Sequence, residues 1–428
     1  RPENPLLARA DCPPRPASFS PEPLGLLLVA KKRMMSTRML RRGGAVGVRW
    51  ATRCASSHEA QERAVVSDVE SAVVSRDATS VPRPLPMLRI VDMEGKPLSS
   101  DAEVHAGGRA VATQIYATMV KLQALDEVYY QAQRQGRISF YLQSLGEEAC
   151  TVASAAALRP DDEIFAQYRE HGALMWRGFP LEEFANQCFG NDLSPDKGRT
   201  MPIHYGSKKL HYHTISSPLA TQIPHAVGAA LALKDTERVA VTYFGDGAAS
   251  EGDFYAAVNF AATLRAPVLF ICRNNGWAIS TPTSEQFVGD GVGSRACALG
   301  VDALRVDGND ALAVRSGVAE MRRRVAEGQR PALVELMTYR TAHHSTSDDS
   351  TKYRPLEEIR QENAQNNPLD RMRNFLTAKG WWDQAQEAEA RDKHRTAARA
   401  SLVKAESLPR PPVSTLFDDV YDTSTQHL

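Results

Sequence analysis

The chain has 428 residues, 43% of them hydrophobic, enough for one large α/β unit with appendages. Its 51 Lys and Arg are balanced by 51 Asp and Glu. Zero net charge gives no support to nucleic-acid binding, and no apolar run is long enough to span a bilayer.

That balance hides an asymmetry at the start of the chain. Residues 1–58 carry 11 Lys and Arg against 3 acids, and Pro23 to His58 holds no acid at all. Arg38, Arg41, Arg42, Arg49 and Arg53 stand there among Ser, Thr, Ala and Met. Such a stretch reads as a mitochondrial transit peptide over 34–58, with a disordered basic tail as the plainer alternative. Residues 1–33, which precede Met34 and Met35, read as upstream sequence outside the natural protein. Residues 59–109 form an N-terminal arm, whose polar, Pro-containing part from Glu59 to Pro86 is expected to be flexible.

Residues 110–356 carry the alternation of helix and strand signals that marks a mostly parallel sheet flanked by helices. Ala110 to Arg134 has helical spacing through Ile115, Met119, Leu122, Leu125 and Val128. Glu147 to Leu158 is Ala-rich and reads as a buried helix. Asp162 to Arg169 is a strand running into a loop, and Pro218 to Lys234 a helix. Arg238 to Phe244 and Pro267 to Cys272 are apolar strands that flank a helix over Ala248 to Leu264. Ala303 to Val306 and Pro331 to Tyr339 are two more strands. A polar loop reaches Lys352, and 357–428 is a C-terminal helical region and tail, with Trp381 and Trp382 at a packing point. The six cysteines show no CxxC spacing; Cys12 and Cys54 fall in the segment expected to be lost, and the other four read as reduced core or strand residues.

The strongest chemical signal is Gly245-Asp246-Gly247, followed 29 residues after the acid by Asn275. In a right-handed βαβ unit both side chains sit at carboxyl ends of neighbouring parallel strands, where open α/β sheets bind ligands. Asp246 offers a carboxylate, Asn275 an amide oxygen and Trp277 a backbone carbonyl, a hard-oxygen set suited to Mg²⁺ held against a diphosphate. The amides of Gly247 and Ala248, at the expected helix start, face the same anion.

This pairing resembles the thiamine-diphosphate-binding motif. The surrounding strings resemble the α subunits of the mitochondrial branched-chain 2-oxo acid dehydrogenases (the E1 component). They include Gln135 to Tyr141, Gln167 to Glu170, His204 to Gly206, Ile215 to Gln222, Gly245 to Gly252, Cys272 to Gly276, Ile279 to Gln286, Val306 to Asp310 and His343 to Asp349. The likeness runs from about Pro84 to Tyr421 and implies the thiamine-diphosphate-binding fold. The pyruvate dehydrogenase α subunit shares the metal motif but differs in the histidine loop. It remains the alternative within the same class, with a non-catalytic scaffold subunit as the alternative outside it.

The resemblance assigns further residues. Tyr168 and Arg169, which can equally be a structural pair, and Arg273 would bind the diphosphate. Ser217 and Leu219 would line the cofactor, and Ser216, Pro218, Thr221 and Gln222 would wrap a potassium ion; read alone, this segment is a helix N-cap. His344 would act beside the reacting carbonyl, although adjacent histidines on a loop are more often solvated. Ser345 would be phosphorylated by a kinase, with a phosphatase to reverse it. The family's second phosphorylation position falls on Pro355, which has no hydroxyl. Gln167, Tyr141 and Leu219 are candidates for the substrate pocket, with core packing the alternative for Tyr141. A separate β subunit would supply the glutamate facing the aminopyrimidine, in an α₂β₂ assembly in the mitochondrial matrix. The acyl acceptor would be a lipoyl-bearing E2 transacylase. The family's longer C-terminal tail is expected to be cut short after Tyr421.

Overall fold

A computed structural model describes residues 65–75 and 84–423. The transit-peptide and upstream readings over residues 1–58 lie outside them. A nine-stranded sheet organises the described residues. In chain order its strands are β1 (Val65–Val66), β2 (Val73–Val74), β3 (Met87–Leu88), β4 (Glu163–Phe165), β5 (Tyr212–His213), β6 (Ala240–Gly245) and β7 (Val268–Asn274). After the small antiparallel pair β8 (Trp277–Ala278) and β9 (Thr281–Pro282) come β10 (Asp302–Asp307) and β11 (Ala332–Met337). The spatial order is β1-β3-β10-β11-β7-β6-β4-β5, parallel throughout, with β2 alone antiparallel against β10.

The pleat explains why the central strands are apolar runs rather than alternating ones. Val241 and Tyr243 of β6, with Leu269 and Ile271 of β7, enter one core, formed with the helices Gly108–Arg134, Glu148–Ala155 and Ala311–Gly328. Ala240 and Phe244, with Val268, Phe270 and Cys272, enter a second core, under the helices Gln222–Ala232 and Gly252–Leu264. Successive side chains point to opposite faces, so a sheet covered on both sides needs apolar residues at every position.

The expected elements are present, with four differences. The arm is not loose throughout, because β1 pairs with β3 and β2 with β10. The helix read from Ala248 begins as a 3-10 turn, Ala248–Ser250, and becomes α-helical only at Gly252. The helix read from Pro218 starts at Gln222, and its N-cap residue Thr221 makes no side-chain cap bond, so no serine of that segment caps it. The C-terminal region is three helices, Leu356–Asn366, Pro368–Ala378 and Gln384–Glu406. Asn367 and Asp383 cap the second and third through their side chains. Trp382 packs edge-on against Tyr116 of the long helix at 5.2 Å, which seats this region on the domain. Cys150, Cys188, Cys272 and Cys297 are buried free thiols.

Candidate active site

Five neighbouring strands deliver their following segments to one edge of the sheet. β4 leads to Gln167, Tyr168 and Arg169; β5 to the 214–221 loop; β6 to Asp246; β7 to Arg273 and Asn275; β11 to the histidine loop. The parallel register sets β6 beside β7, with Gly245 opposite Arg273. Two glycines allow the loops to approach. A Cβ on Gly247 would stand 2.8 Å from the Ala278 Cβ, and Gly276 turns the chain with φ of +82°.

Asp246 is 1% exposed, and its Oδ2 accepts a hydrogen bond from Gln286 Nε2 at 2.8 Å. Burial pushes its carboxyl above the usual range, partly offset by the Gln286 bond and by Arg273 and Arg340. A buried carboxylate held at a desolvation cost is stabilised by a cation brought against it. Asn275 donates from Nδ2 to Glu147 Oε1 at 2.8 Å, and its Oδ1 accepts from Trp277 N at 3.1 Å. The Trp277 carbonyl has only a long contact, 3.4 Å, from Arg340 Nη1.

The arginines divide their work. Arg273 is committed to two buried glutamates, through Nε to Glu170 at 2.9 Å and through Nη1 to Glu147 at 2.6 Å. Arg169 donates to the carbonyls of Gln143 and His344, at 2.5 and 2.9 Å. Arg340, absent from the sequence reading, lies 1% exposed beside them. Burial first, then Arg169 and Arg354, pushes it down to about 10.

His344 sits between two of these cations. Its Nδ1 lies 3.5 Å from Arg169 Nη2 and 3.4 Å from Arg340 Nη1. Guanidinium groups only donate, so Nδ1 accepts and Nε2 carries the proton of a neutral ring. Burial, then Arg169 and Arg340, pushes its pKa down to about 3. Tyr168 meets the imidazole edge-on at 6.0 Å. The loop is fastened by Thr346 and Tyr141, which exchange two hydrogen bonds at 3.0 and 3.1 Å, and by Asp348, which accepts from His344 N at 2.8 Å. Ser345 is half-buried on this loop, and its hydroxyl accepts from Ser347 N at 3.2 Å. His343 instead accepts from Ser350 N at 3.0 Å, a structural bond.

Ser217, Pro218 and Leu219 are exposed, so this rim of the site is open on the isolated chain. Ser217 Oγ is 2.7 Å from His204 Nε2, while His204 Nδ1 faces the Pro202 carbonyl at 3.1 Å. That pairing makes Nδ1 the protonated nitrogen and Ser217 the donor. Gln222 donates to the Tyr243 carbonyl, and Thr221 Oγ1 donates to Pro218 O at 3.4 Å; Ser216 is half-buried. The non-glycine residues Ile203, Ala220 and Ile279 have φ of +69°, +67° and +55° around this rim, a concentration of backbone strain that functional loops retain.

Two pocket candidates are buried and hydrogen-bonded within the chain. Tyr141 does not face open space: it is wholly buried, its hydroxyl donates to Asp126 Oδ1 at 2.8 Å, and its ring packs on Tyr129. Gln167 is buried, and its Oε1 accepts from Gly245 N at 3.1 Å, which ties the segment after β4 to the Gly245–Gly247 turn. Reading the chain alone missed Glu147, Glu170, His204 and Arg340. A charged residue directly after an apolar run, as Arg340 follows the strand read over Pro331 to Tyr339, was the available signal.

The family model described as dehydrogenase E1 component matches residues 116–414. The chain is 52% identical over 346 residues to "2-oxoisovalerate dehydrogenase subunit alpha 2, mitochondrial" of Arabidopsis thaliana, covering 80% of this chain and 73% of the relative. It is 49% identical over 339 residues to the human "2-oxoisovalerate dehydrogenase subunit alpha, mitochondrial", covering 79% and 76%. The Dictyostelium discoideum protein of that name is 49% identical over 348 residues, covering 80% and 78%. With its parallel sheet, its strand-end acid and amide and a match across more than two thirds of its length, the chain belongs to the dehydrogenase E1 component family.

Proposed function

We propose that this chain is the α subunit of a thiamine-diphosphate-dependent branched-chain 2-oxo acid dehydrogenase (3-methyl-2-oxobutanoate dehydrogenase). Such an enzyme oxidatively decarboxylates the 2-oxo acids of valine, leucine and isoleucine and passes the acyl group to a lipoyl group on an E2 transacylase. The observation that carries the reading is the convergence of Asp246, Asn275, Arg169 and His344 on one sheet edge, in a chain about half identical to 2-oxoisovalerate dehydrogenase α subunits. Those relatives' names favour a branched substrate over pyruvate.

The donor set fits the implied groups. Asp246, the Asn275 amide oxygen and the Trp277 carbonyl would hold Mg²⁺, and the buried, upshifted Asp246 carboxyl is the group a divalent ion relieves. Arg169, Tyr168, Arg273 and the amides of Gly247 and Ala248 would face the diphosphate. The amides now open a single 3-10 turn, so local N–H groups rather than a helix dipole serve there. Ser217 and Leu219 would touch the rings. Ser216, Pro218, Thr221 and Gln222 supply hydroxyl and carbonyl oxygens for K⁺. When bound, the cofactor supplies the nucleophile and the electron sink for loss of CO₂. His344, neutral with its proton on Nε2, donates a hydrogen bond to the substrate oxygen while Arg169 and Arg340 hold the ring's other nitrogen.

The open rim at Leu219 is where a β subunit would close the site, in an α₂β₂ tetramer of the mitochondrial matrix. Phosphorylation of Ser345 by a kinase would place about two negative charges on the loop that carries His344 and would stop turnover; a phosphatase would restore it. The test is co-expression with a β subunit and assay with 3-methyl-2-oxobutanoate and with pyruvate, with and without thiamine diphosphate and Mg²⁺. Cofactor-dependent turnover preferring the branched acid is expected. Preference for pyruvate moves the chain to the sister enzyme, and absence of both turnover and cofactor binding leaves a scaffold subunit.

A further inference from the structure

Glu147 is the N-cap residue of the helix Glu148–Ala155, yet its side chain makes no cap bond. It is wholly buried and turned toward the strand ends. Its Oε1 accepts from Asn275 Nδ2 at 2.8 Å and from Arg273 Nη1 at 2.6 Å. Its Oε2 has no hydrogen-bond partner and stands 3.4 Å from Arg169 Nε. Glutamate is not among the side chains that favour an N-cap, and this one leaves the nearby helix amides for Arg273 of β7 and Asn275 just past it. Helix capping therefore does not explain its place.

Its chemistry does. An ionised carboxylate only accepts, so Asn275 must present its NH₂ group to Glu147. The amide oxygen is thereby turned to the other side, onto the Gly276–Trp277 turn, where Trp277 N donates to it. An asparagine without such a neighbour has two orientations of nearly equal shape, and only one offers oxygen to a hard cation. We propose, resting on the cofactor reading above, that Glu147 is a positioning residue for the metal: it locks the Asn275 amide with its oxygen outward. Its contact with Arg273 is a separable matter of charge balance.

Two variants divide the roles. Glu147→Asp keeps the charge but is one methylene shorter, so it withdraws from Asn275 while still offsetting the arginines. Glu147→Gln keeps the reach and an accepting oxygen, which the two facing donors select, but loses the charge. The readout is Mn²⁺ binding by electron paramagnetic resonance with thiamine diphosphate present, on the chain assembled with its β subunit. Partners that orient metal ligands are worth about 10–100-fold in affinity. Glu147→Asp is expected to weaken Mn²⁺ binding about tenfold or more, with the unfolding temperature of the cofactor-free assembly close to that of the parent. Glu147→Gln is expected to lower that temperature more than Glu147→Asp does, while weakening Mn²⁺ binding less. Parent-like Mn²⁺ affinity in Glu147→Asp, or a greater loss of affinity in Glu147→Gln, overturns the positioning role alone. A parent assembly that binds no Mn²⁺ with thiamine diphosphate overturns the cofactor reading and this role with it.

Discussion

Two of the buried ionic clusters among the described residues are finished to different degrees. At β10 and β11, Arg305 and Glu335 sit opposite each other in register, both wholly buried. Glu335 accepts from Asn274, Val292 N, Gly293 N and twice from Arg305. Arg305 uses Nε and both terminal nitrogens, with Asp290 and the Leu85 carbonyl taking the remainder. At the carboxyl edge, by contrast, Glu147 and Glu170 each keep one oxygen without a hydrogen bond. Arg340 makes only long contacts, at 3.3 to 3.5 Å. A saturated cluster has nothing left to bind and serves the fold. An unsaturated one carries a desolvation cost that a ligand can repay.

Four experiments would break or sharpen that contrast. Asp246→Asn should cost activity of the assembled enzyme by about 10³-fold or more, the scale of losing a metal that stabilises developing charge. It should leave the cofactor-free chain no less stable, because a buried carboxyl with an upshifted pKa is removed; urea unfolding checks this. Arg305→Met should do the opposite. It leaves Glu335 buried without its cation and should cost about 3–5 kcal/mol of stability, again read by urea, with cofactor affinity following only through unfolding. Ser345→Glu should reduce turnover about tenfold or more through charge beside the diphosphate site, without shifting the unfolding temperature; unchanged turnover would sink the regulatory reading.

The smallest effect concerns pH. The folded pKa of His344, about 3, lies below its ordinary 6.5, so the folded chain binds fewer protons than the unfolded chain between those values. Stability from the neutral ring is complete above about pH 6.5 and is lost as pH falls toward 3. The cofactor-free chain should therefore lose stability between pH 7 and 5 more steeply than His344→Gln, in paired urea titrations.

Much of this was legible along the chain, for definite reasons. The βαβ unit around Asp246 and Asn275 was visible because buried parallel strands are unbroken apolar runs and the acid and the amide sit at fixed offsets from their ends. Tyr141 was left open between pocket and core because an aromatic residue reads the same in both; only the fold shows Asp126 taking its hydroxyl. The helix start at Gln222 was missed because a Ser-Ser-Pro string carries cap chemistry that the loop does not use. Glu147 went unread because its partner Asn275 lies 128 residues away, and no local period records that.

Trp277 lies on the turn that follows Asn275, while its indole lies 5.8 Å from the Tyr353 ring and 6.0 Å from the Arg354 guanidinium. Its indole N–H is buried without a hydrogen-bond partner. An indole in such a setting has its emission tuned by the nearby cation and ring, so any shift of the turn alters its brightness and colour. The chain thus contains an intrinsic optical reporter at the residue whose carbonyl is proposed as a metal ligand, and replacing the other tryptophans would isolate its signal without attaching a dye.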